Sequence, residues 1–535
     1  MSRWLLLLAA CVAPFAATNA GNAPDVFTKV VQGGDPSPAD AYKGVWSVAI
    51  NADELKFSPP EITLNLPDLT PVTVQLDHWE PRAGFVMEYD EEGNGHMIPD
   101  PNAKPEDFSW LWYGRGSEWT VSLTMHKGIV AGRASSAERR YGLEPRPGPV
   151  TQLGWINSSY WKTHVDDGLD NPKREAVSAA PAATASASSL GPTLPMPLPA
   201  STKGPTWDDS CAASLDTSHV NVVDVLVMYT SGYLSYAGSA TQVEAQVQAG
   251  LDDANTSLRN SQMYALRFAL AGVEAVPAGF NYDVSGIEAS LLRLTGYTVV
   301  PPIDGYCSFS NPNTAVRNRR EAKHADIVAL ARRDATNPPE QTCGAGWVQR
   351  VVYNNGCAME PGADWGEKFP YFIFDPQCNS DRLNFAHEIG HTLGMEHDPQ
   401  NSDVGAGGAR PSCPWSFGHR RPDTGVAQSY RFRTVMAYWN NVLTSGGEVG
   451  PGPCASSADC QQIDAYSNWN LQWAGPSGIQ PLPLLPSSAL IGVQVPWIPG
   501  GLQKKSHAFD TMQRLGAIVA DFRARPDAIF ANNFQ

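Results

Sequence analysis

From Asn384 to Asp398 the chain reads Asn-Phe-Ala-His-Glu-Ile-Gly-His-Thr-Leu-Gly-Met-Glu-His-Asp, and four of these side chains are spaced to act on one substrate. His387 and His391 are four residues apart, which puts both imidazoles on one face of a helix, one turn from each other. Phe385, Ile389 and Leu393 form a second stripe about 200° around the same helix, so one face packs while the other holds a ligand. Gly394 can take the positive φ that ends a helix, and the turn returns His397 as a third ligand. Three neutral imidazoles with an open fourth position are the ligand set of a catalytic zinc site rather than a closed structural one. Zinc lowers the pKa of bound water to about 7. Glu388, beside the first ligand, is placed to take a proton from that water and pass it to a leaving amine.

Those side chains need a frame, and the flanking sequence predicts an α/β one. Val223 to Tyr229 is a near-continuous apolar run, as in a strand buried on both faces. Val243, Val247, Leu251, Ala254 and Leu258 keep helical spacing. Ala265–Val276 reads as a strand, Ile287–Leu294 as a helix and Ala325–Leu330 as a third strand, an alternation that predicts helices packed on a mostly parallel sheet. Cys343–Val348 and Tyr371–Phe374 read as two more strands just before the zinc helix. An edge strand there could pair with an extended peptide. Residues 399–433, rich in Gly, Pro and Ser, read as a long loop, and His419 within it is not needed as a ligand.

Upstream the pattern changes. Ile62, Leu64 and Leu66, then Val72, Val74 and Leu76, then Trp119, Val121, Leu123 and Met125 alternate with polar residues, as half-buried strands do. His126-Lys127-Gly128 reads as a hairpin turn. His78, His96, His126 and His164 are scattered singly and form no constellation. Residues 176–210 are rich in Ala, Pro and Ser and cannot bury enough apolar surface to order themselves. The expected layout is a signal peptide at 1–20, a β-rich propeptide domain at 21–175, a linker at 176–210 and a hydrolase domain at 217–526, which is the layout of a zymogen.

The chain has 535 residues, a net charge of −16 and a pI near 5.1. That length exceeds one core, and that charge argues against nucleic acid or anionic membranes as partners. Past the N-terminus no apolar run is long enough to span a bilayer. Arg3, the apolar Trp4–Ala10 and Thr18-Asn19-Ala20 make an export signal. Leu8-Ala9-Ala10-Cys11 also matches a lipobox, so secretion and lipid anchoring through Cys11 both stand. Cys211, Cys307, Cys343, Cys357, Cys378, Cys413, Cys454 and Cys460 allow up to four disulfides in an exported chain. Cys454 and Cys460 are close enough to close a small loop.

H-E-x-x-H-x-x-G-x-x-H resembles the metzincin signature, and Arg433-Thr434-Val435-Met436-Ala437-Tyr438 resembles the Met-turn of that group. The resemblance implies that Met436 lies beneath the three histidines. Asp398 after the third histidine is similar to the reprolysin or adamalysin branch, and Val223–Thr230, Cys343–Trp347, Tyr466-Ser467-Asn468-Trp469, Gly475–Gly478 and Met512–Phe522 resemble bacterial reprolysin-like and peptidyl-Asp metalloendopeptidases over about 217–526. It implies a secreted zinc endopeptidase acting on proteins or peptides, monomeric once its propeptide is removed, with His387, His391 and His397 on the metal and Glu388 as base. Asp398 would orient a neighbouring group. Tyr438 sits where astacins and serralysins, not adamalysins, carry a Tyr that acts near the zinc, so its hydroxyl is expected to be a weak fifth ligand or a donor to the oxyanion of the tetrahedral intermediate. Cys211 either joins a disulfide or caps the metal in the precursor. The rival from another class is a surface or lipid-anchored binding protein with a vestigial metal site, and retention of Glu388 speaks against it.

Overall fold

The computed structural model describes, with short interruptions, residues 23–32, 42–156, 165–169, 219–296, 313–333, 342–348, 370–399, 411–421, 426–438, 460–497 and 504–523. The first 156 residues build a nine-stranded antiparallel sheet from β1 (Phe27–Gln32), β2 (Tyr42–Ile50), β3 (Glu61–Leu64), β4 (Val72–Ala83), β7 (Ser109–Arg115), β8 (Thr120–His126), β9 (Ile129–Ser135), β10 (Arg140–Arg146) and β11 (Val150–Ile156), in the order β1-β2-β11-β10-β9-β8-β7-β4-β3. β5 (Phe85–Tyr89) and β6 (Gly95–Pro99) form a separate hairpin, and α1 (Ala52–Leu55) is one turn. The β8–β9 connection is Lys127-Gly128 with φ of +49° and +77°, the pair of positive values that a two-residue hairpin with strand-matching twist requires.

Alternation along these strands works as expected on one face. Trp110, Trp112, Val121, Leu123 and Met125 share a core with Ile62, Leu64 and Val74. The opposite face departs from the half-buried expectation: Leu111, Tyr113, Ser122, Thr124 and Arg133 are buried as well. A helix from beyond residue 219 covers them.

That helix is α3 (Ala240–Asn260), which follows α2 (Ser231–Ala237). Thr230 and Ser239 cap the two helices by accepting the amides of Tyr233 and Gln242, each worth roughly 1 kcal/mol. On its other side α3 packs on a six-stranded mixed sheet. The strands are β12 (Val165–Leu169), β13 (Asn221–Tyr229), β14 (Leu266–Ala275), β15 (Ile327–Ala331), β16 (Thr342–Trp347) and β17 (Tyr371–Phe374), in the order β12-β16-β17-β15-β13-β14. β13 pairs parallel with β14 and β15, β15 parallel with β17, β17 antiparallel with β16, and β16 parallel with β12. Val223, Val225 and Val227 join the core under α3, α6 (Asn384–Thr392) and α7 (Ala508–Ala520), while Leu226 and Met228 join the core under α4 (Ile287–Thr295) and α5 (Thr314–Ala322). Two covered faces explain the unbroken apolar run of β13. The predicted elements from Val223 to Phe374 are all present, and α7 begins a turn earlier than Met512. The expected loop at 399–433 carries the short strand pair Arg420–Arg421 and Phe432–Arg433.

Some features went unforeseen, α2 and β12 among them. α5 was not read from the sequence, where its Arg-rich surface hides a buried stripe of Val316 and Arg320 alone. β16, expected to be an open edge, is paired along its length with β12.

Candidate active site

α6 starts abruptly. Leu383 takes a left-handed φ of +54° just before it, and the Asn384 side chain donates to the Cys343 carbonyl at 2.7 Å. Cys343 is itself bonded to Cys378, so the helix start is tied to the edge of the sheet. The Phe385 ring meets Phe372 and Phe374 edge-on at centroid distances of 5.2 and 5.1 Å, contacts worth about 0.5–1.5 kcal/mol each beyond burial. Ile389 and Leu393 complete this apolar stripe in the same core. Gly394 has φ +79°, and the amides of Gly394 and Met395 donate to the carbonyls of His391 and Gly390 at 2.8 and 3.0 Å. This closes the helix and brings the chain back.

His397 thereby joins His387 and His391, all three buried, with one ligand atom from each within 4.8 Å of the others. Nε2 of His391 is 3.2 Å from Nε2 of His387 and 3.1 Å from Nε2 of His397. Backbone carbonyls set the outer nitrogens: Nδ1 of His387 lies 2.9 Å from the Val435 carbonyl and Nδ1 of His391 lies 2.8 Å from the Met395 carbonyl. A carbonyl can only accept, so both Nδ1 atoms carry the proton and both Nε2 lone pairs point inward. Converging lone pairs repel unless a cation lies among them. The donor set fits a zinc ion with its fourth position left open.

Glu388 is fully buried against β16. A Cβ on Gly344 would lie 2.3 Å from Glu388 Oε1, and one on Gly346 would lie 3.3 Å from Oε2 and 2.9 Å from the Glu388 carbonyl. The Gly-x-Gly of this strand is therefore what lets the carboxylate sit beside the sheet edge. Beneath α6, a Cβ on Gly390 would lie 2.6 Å from the Met436 sulfur, which places Met436 as the apolar floor. The Tyr466 hydroxyl donates to the Ala386 carbonyl at 2.7 Å from below.

Tyr438 comes to the same place. Its ring centroid is 4.1 Å from that of His397, and its plane lies within 6° of that of His387 at 6.0 Å. Asp398 acts on it through the backbone: Oδ2 accepts the Tyr438 amide at 3.1 Å, while Oδ1 faces Arg420 Nε at 3.3 Å. Arg420 also reaches the Tyr438 carbonyl at 3.4 Å. Sequence reasoning missed Arg420; its only signal is its place in the loop that also holds His419. His419 does not join the three imidazoles, and burial together with Arg420 and Arg421 pushes its pKa down to about 4.

Residues 219–445 match the family model Reprolysin_5, metallo-peptidase family M12. This stretch is a reprolysin-like M12 metallopeptidase domain. The chain is also similar to the peptidyl-Asp metalloendopeptidase of Stenotrophomonas maltophilia (strain K279a), at 25% identity over 256 residues, 45% of this chain and 50% of that protein. The chain thus spans about half the length of that relative. Among solved structures, the metalloproteinase-II of Bacteroides fragilis aligns at 10% identity over 63% of this chain and 81% of that one with a TM-score of 0.29. A chain in a chaperone–substrate complex aligns at 14% identity over 57% and 35% with a TM-score of 0.33. At such scores neither bears on the fold.

Around the M12 domain, Cys413 and Cys460 are also disulfide-bonded. Cys211, Cys307, Cys357 and Cys454, the signal at 1–20 and most of the linker lie outside the described residues, and with them the expected roles of Cys211 and Cys11. Among the described residues no helix is long and apolar enough to cross a membrane.

Proposed function

We propose that this chain is an exported, zinc-dependent metalloendopeptidase made as a zymogen, with residues 21–175 as its propeptide domain. One observation carries the reading: three buried imidazoles turn their Nε2 atoms to a common point with the Glu388 carboxylate on the next helical position, against the edge of the sheet. A zinc ion held by His387, His391 and His397 would supply a Lewis acid and lower the pKa of its water.

The remaining work belongs to the chain. The Val435 and Met395 carbonyls keep two of the rings in the tautomer that ligates. Glu388 takes the proton from the attacking water and delivers it to the leaving amine, a contribution of typically 10²–10⁴-fold. The Tyr438 hydroxyl is the candidate donor to the oxyanion of the tetrahedral intermediate. Asp398 and Arg420 hold the Tyr438 backbone so that its ring stays against His397. The β16 edge aligns an extended peptide by backbone pairing, which suits a protein or peptide substrate.

The name of the Stenotrophomonas relative suggests cleavage beside Asp. Mass spectrometry of proteome-derived peptides, digested with and without a chelator, tests activity and preference together. Chelator-sensitive cleavage that disappears in Glu388→Ala while zinc stays bound is the expected result. Cleavage that survives in Glu388→Ala would overturn the assignment of the base, and no cleavage by any processed form would overturn the peptidase.

A further inference from the structure

The N-terminal domain touches the M12 domain at two separate places. The first is the polar side of α3. Arg82 forms a two-pronged pair with Asp252 at 2.9 and 2.5 Å, and the Thr124 hydroxyl donates to the same carboxylate at 2.6 Å. Arg133 lies 3.2 Å from Asp253 and 2.7 Å from Asp464. Lys127 pairs with Glu244, and Glu80 with Arg267, at the rim. Gln246 donates to the Pro145 carbonyl at 3.1 Å. The second place is the substrate edge. β12 runs parallel to β16 with Asp166 opposite Gly344, Asp167 opposite Ala345 and Gly168 opposite Gly346, the glycines that flank Glu388. The chain's own Val-Asp-Asp-Gly-Leu thus lies where a peptide substrate would pair.

The order along the chain gives these contacts meaning. β12 follows β11 after the eight residues 157–164 and precedes the Ala/Pro/Ser-rich stretch at 176–210. A cut in that stretch leaves β12 on the N-terminal fragment. Five residues of strand bind too weakly to stay in place alone, but tethered to a docked domain they face their site at an effective concentration in the millimolar range. The two-pronged Arg82–Asp252 pair and the buried Arg133 between Asp253 and Asp464 make the docking slow to release.

We infer that the acidic side of α3 is a docking surface for the chain's own N-terminal domain that outlasts cleavage of the linker, and that the docked domain inhibits in trans by keeping Val165–Leu169 on the β16 edge. Linker cleavage alone does not activate the enzyme; the fragment must also leave, or be cut again between β11 and β12. The inhibitory half of this inference rests on the peptidase reading above, whereas the docking half does not.

The test uses the full chain carrying a site for a sequence-specific protease within 190–205. After the cut, the two fragments co-elute on size exclusion, the Thr342–Trp347 amides stay protected from hydrogen exchange, and peptide hydrolysis stays at the precursor level. In the Arg82→Ala/Arg133→Ala variant the cut fragments separate and hydrolysis rises at least tenfold. In Asp166→Pro/Asp167→Pro, which removes whichever of the two amides donates to β16 and stiffens the strand, the fragments still co-elute, but the β16 amides exchange and hydrolysis rises. This second variant leaves the α3 contact intact, so it reports even if the first fails to fold. Separation of the unaltered fragments at low salt overturns the docking. A co-eluting, unaltered pair that hydrolyses peptide as fast as the proline variant overturns the inhibition. Absence of hydrolysis in every form, with co-elution and amide protection as expected, refutes the peptidase reading and with it the inhibition, while the docking stands.

Discussion

The three imidazoles come from one eleven-residue stretch, and two of them are oriented by backbone carbonyls, whereas the carboxylates of α3 are met by guanidinium groups 170 and 120 residues away. Both regions are buried and polar. In the first, the Nε2 atoms face one another around a place for a cation, and the outer nitrogens of His387 and His391 meet backbone carbonyls. In the second, charge meets charge and the contact is complete. The first arrangement is set by backbone contacts close by in the fold, the second by ion pairs between distant parts of the chain.

That contrast can be tested by breaking each side. The largest effect is expected at Glu388: Glu388→Ala lowers the turnover of processed enzyme by about 10²–10⁴-fold while elemental analysis still finds one zinc per chain. A fall in zinc content as large as the fall in activity would make Glu388 a structural residue. On the other side, Arg133→Ala leaves Asp253 and Asp464 without their shared cation, and breaking a buried pair costs about 3–5 kcal/mol. Thermal denaturation of the uncut chain should show a drop of several degrees, with the zinc content of the folded fraction unchanged.

Gly344→Ala puts a methyl group into the space of the Glu388 carboxylate. A displacement of about 1 Å at a reacting group costs on the order of 10² in rate, so kcat should fall by that factor with zinc retained and KM nearly constant. The interface should also sense pH. Burial raises the Asp253 carboxyl to about 6, with Arg133 and the Ser122 hydrogen bond lowering it and Asp464 raising it further. The assembled molecule then binds a proton that the unfolded chain releases, so this stability is present at low pH and lost as pH rises through about 6. Glu80, whose burial is outweighed by His78, Arg82 and Arg267, is held well below the usual carboxylate range, and its contribution fades only in stronger acid. Between pH 5 and 7, denaturation should therefore show a slope on the order of 1–3 kcal/mol that Asp253→Asn abolishes. The smallest effect is expected at Tyr438→Phe, about tenfold or less in kcat with unchanged zinc affinity. An unchanged rate would leave the ring as packing for His397 alone.

The metal-type site was legible because its information is local. Helical spacing, one glycine and a third histidine specify the arrangement within eleven residues, and Met436 followed from a short segment similar to a Met-turn. Most strands and helices of the M12 domain were legible from period and apolar runs, α2 and α5 excepted. The α3 interface was not. Asp252 and Asp253 read as the solvated face of an amphipathic helix, and Ser122, Thr124 and Arg133 as the outward face of a strand. Each half has the pattern of a surface, and nothing in either names its complement. β12 was hidden for a related reason: a five-residue run with two aspartates has no strand signature, and only the β16 edge makes it one.

α3 has one more consequence. Its 21 residues are buried nearly all the way round, between the sheet of the first 156 residues and that of the M12 domain. On the ribosome the first sheet emerges in full before α3 is made, and domains fold as units in the order of synthesis. The newborn helix therefore meets a finished surface carrying Arg82 and Arg133, and its acids are neutralised before β14, β15 and β17 exist to complete the sheet on its other side. The N-terminal sheet is thus the surface against which α3 first packs.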